Sequence, residues 1–322
     1  MKTILVTGSM GQIGSELVPR LRRIYGEDHV IATDIRPPDK EQGPYVQLDV
    51  TDRRAFYDTA KRYGADSILH LAALLSARAE RDPLLAWEIN MGGLLNALET
   101  ARELNAQLFT PSSIGVFGPD APKDRTPQVT VQRPVTMYGV NKVAGELLCQ
   151  YYFLKYGVDT RGLRFPGLIS HTAPPGGGTT DYAVDIYFAA ARHGGYESYI
   201  AAGTFMDFMY MPDAVEAVIQ LMEADPSGLV HRNAYNVTAM SADPEMLAAE
   251  IRKHIPDFRL HYRVDPLKQR IAESWPDSLD TTAAENEWGF RPRFTLEKMT
   301  EEMLAFAGGR NPPEDGPRGN SP

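Results

Sequence analysis

The sequence predicts an α/β protein in which a doubly wound parallel β-sheet carries a smaller C-terminal lobe. Three observations lead to this fold class. Short apolar runs alternate with helical patterns through the first half of the 322 residues. A glycine-rich turn joins the first strand to the first helix. After Arg164 the regular alternation stops, and glycine-rich and proline-rich connections become frequent. Strand–helix alternation of this kind produces a parallel sheet covered by helices on both faces.

The elements of the first half follow from their apolar spacing. The predicted strands are Ile4–Val6, Val30–Ala32, Tyr45–Leu48, Ile68–Leu71, Gln107–Phe109 and Thr160–Arg164. The predicted helices are Ile13–Ile24, Arg53–Tyr63, Pro83–Leu104 and Met137–Tyr156.

The second half reads as a substrate lobe. We predict helices at Asp213–Glu223, Pro244–His254, Thr281–Trp288 and Leu296–Phe306, with short strands at Tyr235–Val237 and Arg259–Tyr262. Residues 1–170 are therefore assigned mainly to the first domain and 171–307 mainly to the lobe, with interleaving elements allowed. Residues 308–322 lack apolar side chains and are expected to form a disordered tail.

Composition excludes several classes of partner and site. The formal net charge of −9 disfavours nucleic acid and anionic membranes, and no apolar run approaches the ~20 residues that span a bilayer. The single cysteine, Cys149, permits neither an internal disulfide nor a cysteine-based zinc site, and the seven histidines form no obvious ligand cluster. We expect no metal. The first strand follows Met1 closely without a secretory signal, which favours a cytoplasmic protein.

The segment Thr7–Gly14 has the spacing of a dinucleotide-binding turn, with Gly8, Gly11 and Gly14 three residues apart. Glycines let the backbone approach a pyrophosphate, and the helix N-terminus offers N–H groups to it. An ordinary glycine-rich turn is the alternative. Asp34 ends the second strand, 20 residues after Gly14, where a carboxylate binds the adenine ribose and repels a 2′-phosphate. NAD⁺ is therefore favoured over NADP⁺, although the nearby Arg36 weakens that preference. Asp49 is either an acceptor for the adenine amino group or a turn residue.

Tyr138 and Lys142 are four residues apart in a predicted helix, so both side chains project from one face. An ammonium group and a positive nicotinamide favour the phenolate, which turns a poor base into a usable one. Ser113, after the fifth strand, is placed to donate to the substrate oxygen. Two exposed helix residues are the alternative explanation of the Tyr–Lys pair.

Taken together, these motifs resemble the extended short-chain dehydrogenase/reductase family, whose Rossmann domain binds NAD. The resemblance rests on Thr7–Gly14, Asp34, His70–Ala73, Ser112–Gly118 and Tyr138–Lys142. It implies Tyr138, Lys142 and Ser113 as catalytic residues. The cofactor residues that it implies are Gly8, Gly11, Gln12, Ile13, Gly14, Asp34, Arg36, Asp49, Val50, Leu71, Ala72, Ala73, Tyr138, Lys142 and Pro166. Phe117 departs from the tyrosine common in sugar epimerases, at a position that does not touch the chemistry.

Segments from both lobes resemble the short-chain, metal-independent L-threonine 3-dehydrogenases. The matching segments are Leu74–Ala77, Arg164–Ser170, Gly176–Tyr182, Ser274–Ser278 and Trp288–Phe290. The resemblance implies threonine catabolism, with NAD-dependent oxidation of the 3-hydroxyl of L-threonine to 2-amino-3-oxobutanoate and Tyr138 as the base. It implies substrate contacts from Ser76, Ser113, Tyr138, Thr179, Thr180 and Asp181.

Three points stay open at this stage. Thr179–Asp181 also fits a helix N-cap after a glycine loop. A nucleotide-sugar epimerase or dehydratase is the rival enzyme, and a dinucleotide-sensing regulator is the rival class without activity. The resemblance also suggests a homodimer through the helices Pro83–Leu104 and Met137–Tyr156.

Overall fold

A computed structural model describes residues 1–38, 43–173 and 176–309. A seven-stranded parallel sheet forms its centre, in the order β10-β6-β5-β4-β1-β2-β3. The first six strands in sequence are β1 (Ile4–Thr7), β2 (Val30–Asp34), β3 (Tyr45–Gln47), β4 (Ser67–His70), β5 (Gln107–Ser113) and β6 (Thr160–Phe165). The predicted doubly wound parallel sheet is confirmed.

Helices cover both faces of this sheet because successive strand residues point to opposite sides. Leu5 packs into one core, whereas its neighbours Ile4 and Val6 pack into another. The helices are α1 (Gly14–Tyr25), α2 (Arg53–Tyr63), α3 (Ser76–Arg81), α4 (Pro83–Trp87), α5 (Gly93–Leu104) and α6 (Met137–Tyr156). Thr136 caps α6 by accepting from the Gly139 N–H at 3.1 Å, and Gly157 ends it with a left-handed backbone.

The prediction of one continuous α-helix over Pro83–Leu104 is wrong in the middle of this range. A π-helical turn, Glu88–Gly92, separates α4 from α5. In this turn the Asn90 side chain bonds to both backbone groups of Leu74, accepting at 2.7 Å and donating at 3.2 Å. Such turns are frequent at functional sites, and this one joins the helix to the loop that precedes α3.

The remaining elements alternate between the lobe and the large sheet. The strands are β7 (Gly167–Ile169), β8 (Gly195–Ser198), β9 (Met206–Tyr210), β10 (Tyr235–Asn236), β11 (Met240–Ala242) and β12 (Arg259–Tyr262). The helices are α7 (Tyr182–His193), α8 (Met211–Glu223), α9 (Pro244–Arg252), α10 (Pro266–Ser274), α11 (Thr282–Trp288) and α12 (Leu296–Ala307). The lobe contains the small sheets β11-β9-β7 and β12-β8.

Two segments from the second half of the chain return to the large sheet. Strand β10 pairs in parallel with β6, and α8 packs beside α1 in the core on that face. Helices α3, α7 and α10 were not predicted. Helix α7 is apolar on several sides, with Tyr182 and Tyr187 fully buried, so it lacks the one-sided pattern by which surface helices are recognised.

No helix in the described part of the chain is long and apolar enough to cross a membrane. The predicted tail, residues 308–322, lies outside the described residues from 310 onward.

Candidate active site

The glycine turn forms a surface of bare backbone at the start of α1. Gly8 has a left-handed backbone (φ 65°), and the Gly11 N–H donates to its carbonyl oxygen at 3.0 Å. A Cβ atom at Gly14 would lie 2.6 Å from that same oxygen. A Cβ at Gly8 would lie 2.7 Å from the Ala72 nitrogen, so Ala72 closes the turn from behind. Side chains are thus excluded where a pyrophosphate needs to approach the helix N-terminus.

Asp34 borders this turn directly. Its carboxylate accepts from the Met10 N–H at 3.1 Å and from Arg36 Nε at 3.1 Å. Burial alone would raise the pKa of Asp34, but the hydrogen bonds from Arg36 and Met10 outweigh it and lower the pKa. Asp34 is therefore ionised beside the glycine turn. Arg36, which was expected to weaken the preference for NAD⁺, forms an ion pair with Asp34.

Two predicted adenine-side residues lie away from the cleft. Asp49 is exposed, and one of its carboxylate oxygens accepts from the Thr51 N–H at 2.9 Å and from Thr51 Oγ1 at 2.7 Å. These bonds belong to the turn that was the alternative reading of Asp49. The Val50 side chain packs in the core between the sheet and α5.

A cleft of about 1050 Å³, including its open mouth, runs from the glycine turn to the lobe. It brings most of the predicted site residues together. Those that line it are Gly8, Gly11, Gln12, Ile13, Gly14, Leu71, Ala73, Ser76, Ser113, Tyr138, Lys142, Pro166, Thr179, Thr180 and Asp181. Asp34, Arg36, Asp49, Val50 and Ala72 do not line it.

Tyr138, Ser113 and Lys142 meet in the middle of the cleft. Ser113 hydrogen-bonds to Tyr138, and the Lys142 ammonium lies 5.4 Å from the centre of the Tyr138 ring while donating to the Pro111 carbonyl at 2.6 Å. Burial raises the pKa of Tyr138 to about 12, and the Ser113 bond only partly opposes it. The lowering of this pKa that we expected from Lys142 is not found in the protein alone. Burial in turn lowers the pKa of Lys142 to about 8.

The predicted substrate turn faces the same cleft. Thr179 and Ser76 are buried, at 1% and 4% exposure, and Thr180 is half-buried. The Asp181 carboxylate accepts from the N–H groups of Gly177 and Gly178 at 2.8 and 2.7 Å, as expected of a residue that caps a short helix. Burial raises the pKa of Asp181 to about 6. The capping alternative for this segment therefore describes Asp181, whereas Thr179 and Thr180 line the cleft.

Two buried polar atoms on the cleft walls have no partner among the described residues, Gln12 Nε2 and Thr179 Oγ1. Buried polar atoms are nearly always hydrogen-bonded, so a donor beside the glycine turn and a hydroxyl on the lobe indicate ligand contacts. The bare backbone, the ionised Asp34 and Gln12 together fit a dinucleotide. The described residues contain no cluster of three or more His, Cys, Asp or Glu side chains that could hold a metal.

Sequence reasoning missed three contributors. Trp275 is 5% exposed and packs in the lobe core, and it also lines the cleft. Asn90 and Glu146 are polar groups buried behind Lys142. The sequence does contain a signal for Asn90, because it is a polar residue within an otherwise apolar helical segment.

Comparison with known proteins identifies the family. The model of the NAD dependent epimerase/dehydratase family matches residues 4–238. The chain belongs to this family. A relative from Staphylococcus haemolyticus, described as an uncharacterized epimerase/dehydratase, is 61% identical over 94% of this chain and 97% of its own length. The family and the glycine turn beside Asp34 indicate the same cofactor, which is NAD.

Among solved structures of the epimerase/dehydratase fold, the chain is similar to L-threonine dehydrogenases. That of Clostridium difficile has a TM-score of 0.95 and 57% identity, covering 96% of this chain and 98% of that one. The L-threonine 3-dehydrogenase of Trypanosoma brucei has a TM-score of 0.92 and 36% identity, covering 97% and 99%. A nucleoside-diphosphate-sugar epimerase from Agrobacterium tumefaciens, at 21% identity and a TM-score of 0.82 over 94% and 93%, shares the fold. These comparisons support an NAD-dependent oxidoreductase.

Proposed function

We propose that this protein is a metal-independent L-threonine 3-dehydrogenase that produces 2-amino-3-oxobutanoate. The observation that carries the proposal is the composition of the cleft. Its side-chain charges come from Lys142 and Asp181, and its hydroxyl groups come from Ser76, Ser112, Ser113, Tyr138, Thr179 and Thr180. The named dehydrogenase structures, similar over nearly the whole chain, point to the same substrate.

Bound NAD⁺ supplies the acceptor for the hydride that leaves C3 of the substrate. Tyr138 takes the proton of the 3-hydroxyl, and Ser113, bonded to Tyr138, donates to the same substrate oxygen as it becomes a carbonyl. Lys142 stabilises the phenolate and orients the nicotinamide ribose. Burial raises the pKa of Tyr138 to about 12 in the protein alone. The phenolate is therefore favoured only when the positive nicotinamide adds its charge to that of Lys142.

The lobe supplies the contacts that distinguish threonine from other alcohols. The buried Thr179 hydroxyl has no partner among the described residues, and Thr180 and Ser76 add further donors and acceptors for the amino and carboxylate groups. Asp181 acts by holding the loop of Gly177 and Gly178 in place. A nucleotide sugar needs cationic groups for its diphosphate, and Lys142 is the one cationic side chain among the described residues that line the cleft.

The test is NADH formation, followed by absorbance, across a panel of amino acids and nucleotide sugars. L-Threonine should be oxidised and D-threonine should not, because inversion misplaces the charged groups relative to Tyr138. L-Serine lacks a methyl group worth about 1–3 kcal/mol of discrimination, so it should be much poorer. Thr180→Ala should raise KM for threonine and spare the Kd for NADH. Turnover of a nucleotide sugar without turnover of L-threonine would overturn the proposal.

We further propose a homodimer through α4, α5 and α6. Val140, Leu147, Tyr151 and Leu154 recur along one face of α6 and are 41–71% exposed. Leu84 and Trp87 of α4 add to the apolar surface at 83% and 46% exposure. An apolar patch of this kind on a surface helix is typical of a protein interface. A related L-threonine 3-dehydrogenase is described as monomeric, so the oligomeric state has to be measured.

Light scattering coupled to size-exclusion chromatography measures the oligomeric state. Leu147→Gln with Leu154→Gln should give a monomer where the parent gives a dimer. The matched control is Val230→Gln, which changes an apolar residue of 75% exposure outside these helices and should leave the dimer intact. A monomeric parent protein would contradict the proposal.

A further inference from the structure

A buried ion pair lies behind the cleft, between α6 and β6. Glu146 and Arg164 are 9% and 7% exposed. Arg164 donates through two nitrogens to the two carboxylate oxygens of Glu146, at 2.9 and 2.8 Å. Replacing a buried ion pair by apolar side chains is often neutral or stabilising, because removing two charges from water is costly. Stability alone therefore gives no reason for this pair.

The Glu146 carboxylate also connects the segments that carry the proposed catalytic groups. Ser112 Oγ donates to it at 2.5 Å, and Ser112 immediately precedes Ser113 on β5. Gln132 Nε2 donates to its second oxygen at 2.8 Å from the loop that leads into α6. The end of β5, the entrance to α6 and β6 are thus tied to one charged group.

Lys142 faces the same carboxylate. It lies one helical turn before Glu146, and both line a small enclosed cavity together with His70. Burial lowers the pKa of Lys142 to about 8, and the negative charge of Glu146 is the main influence that raises it.

The other titratable groups facing Lys142 carry no compensating charge near neutral pH. Burial lowers the pKa of His70 to about 3, so its ring is neutral. Burial raises the pKa of Cys149 and of Tyr138 to about 12, so thiol and phenol are protonated in the protein alone. Arg164 is cationic and is neutralised by Glu146 itself. Glu146 therefore supplies the negative charge that Lys142 senses.

We propose that Glu146 is a positioning residue of the dehydrogenase reaction, holding Lys142 as an ammonium while its bond to Ser112 fixes the strand end that bears Ser113. Arg164 serves by orienting the Glu146 carboxylate in the interior through its two hydrogen bonds. The inference rests on the proposed function for its role in turnover. The protonation of Lys142 is a property of the protein without substrate.

The experiment therefore begins without substrate. Competitive acetylation across a pH series, read by mass spectrometry of the Lys142 peptide, gives the pH midpoint of its ammonium. Glu146→Gln removes the charge at nearly unchanged shape and should lower this midpoint by about one pH unit or more. Glu146→Asp keeps the charge and should restore most of the parent midpoint. An identical midpoint in the parent and in Glu146→Gln overturns the proposal, whatever the substrate proves to be.

Asp159→Asn is the matched control. Asp159 pairs with Arg161, a 2% exposed arginine on β6 three residues before Arg164, with Nη2 to carboxylate oxygen at 2.8 Å. This variant should destabilise the protein without moving the Lys142 midpoint. It therefore separates the loss of a buried arginine's carboxylate partner in general from the loss of Glu146. If Glu146→Gln does not fold, Glu146→Leu with Arg164→Met removes both charges. Its midpoint should fall by less than one pH unit, because the Arg164 charge that opposes Glu146 is lost too, and a midpoint at or above the parent value overturns the proposal.

Turnover supplies the second measurement. With L-threonine as substrate, the alkaline limb of the kcat–pH profile should move to lower pH in Glu146→Gln, because Lys142 loses its proton earlier. It should stay in place in Glu146→Asp and Asp159→Asn. If kcat falls in Glu146→Gln but the alkaline limb of the kcat–pH profile does not move, Glu146 has only a structural role and the proposal is overturned. Absence of threonine turnover in the parent would count against the proposed function while leaving the acetylation result valid.

Discussion

Gly14→Ala tests whether the bare backbone of the turn is what binds the cofactor. The added Cβ would lie 2.6 Å from the Gly8 carbonyl oxygen and from the Ser9 Cα, whereas ordinary contacts begin near 3.4 Å. The start of α1 must therefore move by about 0.8 Å, the difference between these two distances. The atoms in the way belong to the backbone of the turn, so no side-chain rotation relieves the contact. Overpacking of this kind costs about 1–3 kcal/mol.

The same shift displaces the helix N–H groups that would face the pyrophosphate. A loss of about 1.4 kcal/mol in binding is a tenfold increase in Kd, and we expect at least that for NADH. Fluorescence titration with NADH measures the Kd, and thermal unfolding should show a lower Tm. Gly228→Ala is the control, because its nearest atom, the Glu287 carbonyl oxygen, is 3.6 Å away. Parental Kd and Tm in Gly14→Ala would refute this account of the turn.

Three further predictions concern individual side chains. Asp34→Ala should lower the ratio of kcat/KM for NAD⁺ over NADP⁺ by roughly tenfold, since the charge that repels a 2′-phosphate is lost; equal use of both cofactors by the parent would contradict this. Tyr138→Phe should lower kcat about 10²-fold and leave the Kd for NADH nearly unchanged, and near-parental turnover would exclude Tyr138 as the base. Burial raises the pKa of Asp207 from 3.8 to about 8, so the folded state binds a proton that the unfolded chain releases, and stability falls as pH rises between these values. Asp207→Asn should therefore raise Tm relative to the parent at pH 8.5 more than at pH 5, and an equal difference at both would argue against a buried neutral acid.

The sequence by itself determined the elements whose signal is local. The spacing of Gly8, Gly11 and Gly14 reflects a steric need within one turn, and the four-residue separation of Tyr138 and Lys142 reflects the helical period. Helices α2 and α6 have the predicted bounds, because a capping residue precedes each and a left-handed glycine follows each. The parallel sheet follows from alternating strands and helices, which leave few other arrangements.

The tertiary structure alone decided the pairings between distant residues and the charge states that depend on burial. Glu146 and Arg164 are 18 positions apart, on different elements, and β10 reaches β6 from 70 residues further along the chain. The Thr179 hydroxyl, which has no partner in the described part of the chain, and the raised pKa of Tyr138 both depend on surrounding groups that exclude water. Secondary-structure propensity and residue spacing depend on a few neighbouring residues. Desolvation and hydrogen bonding depend on all the atoms that folding brings close to a group, so a local sequence pattern does not predict them.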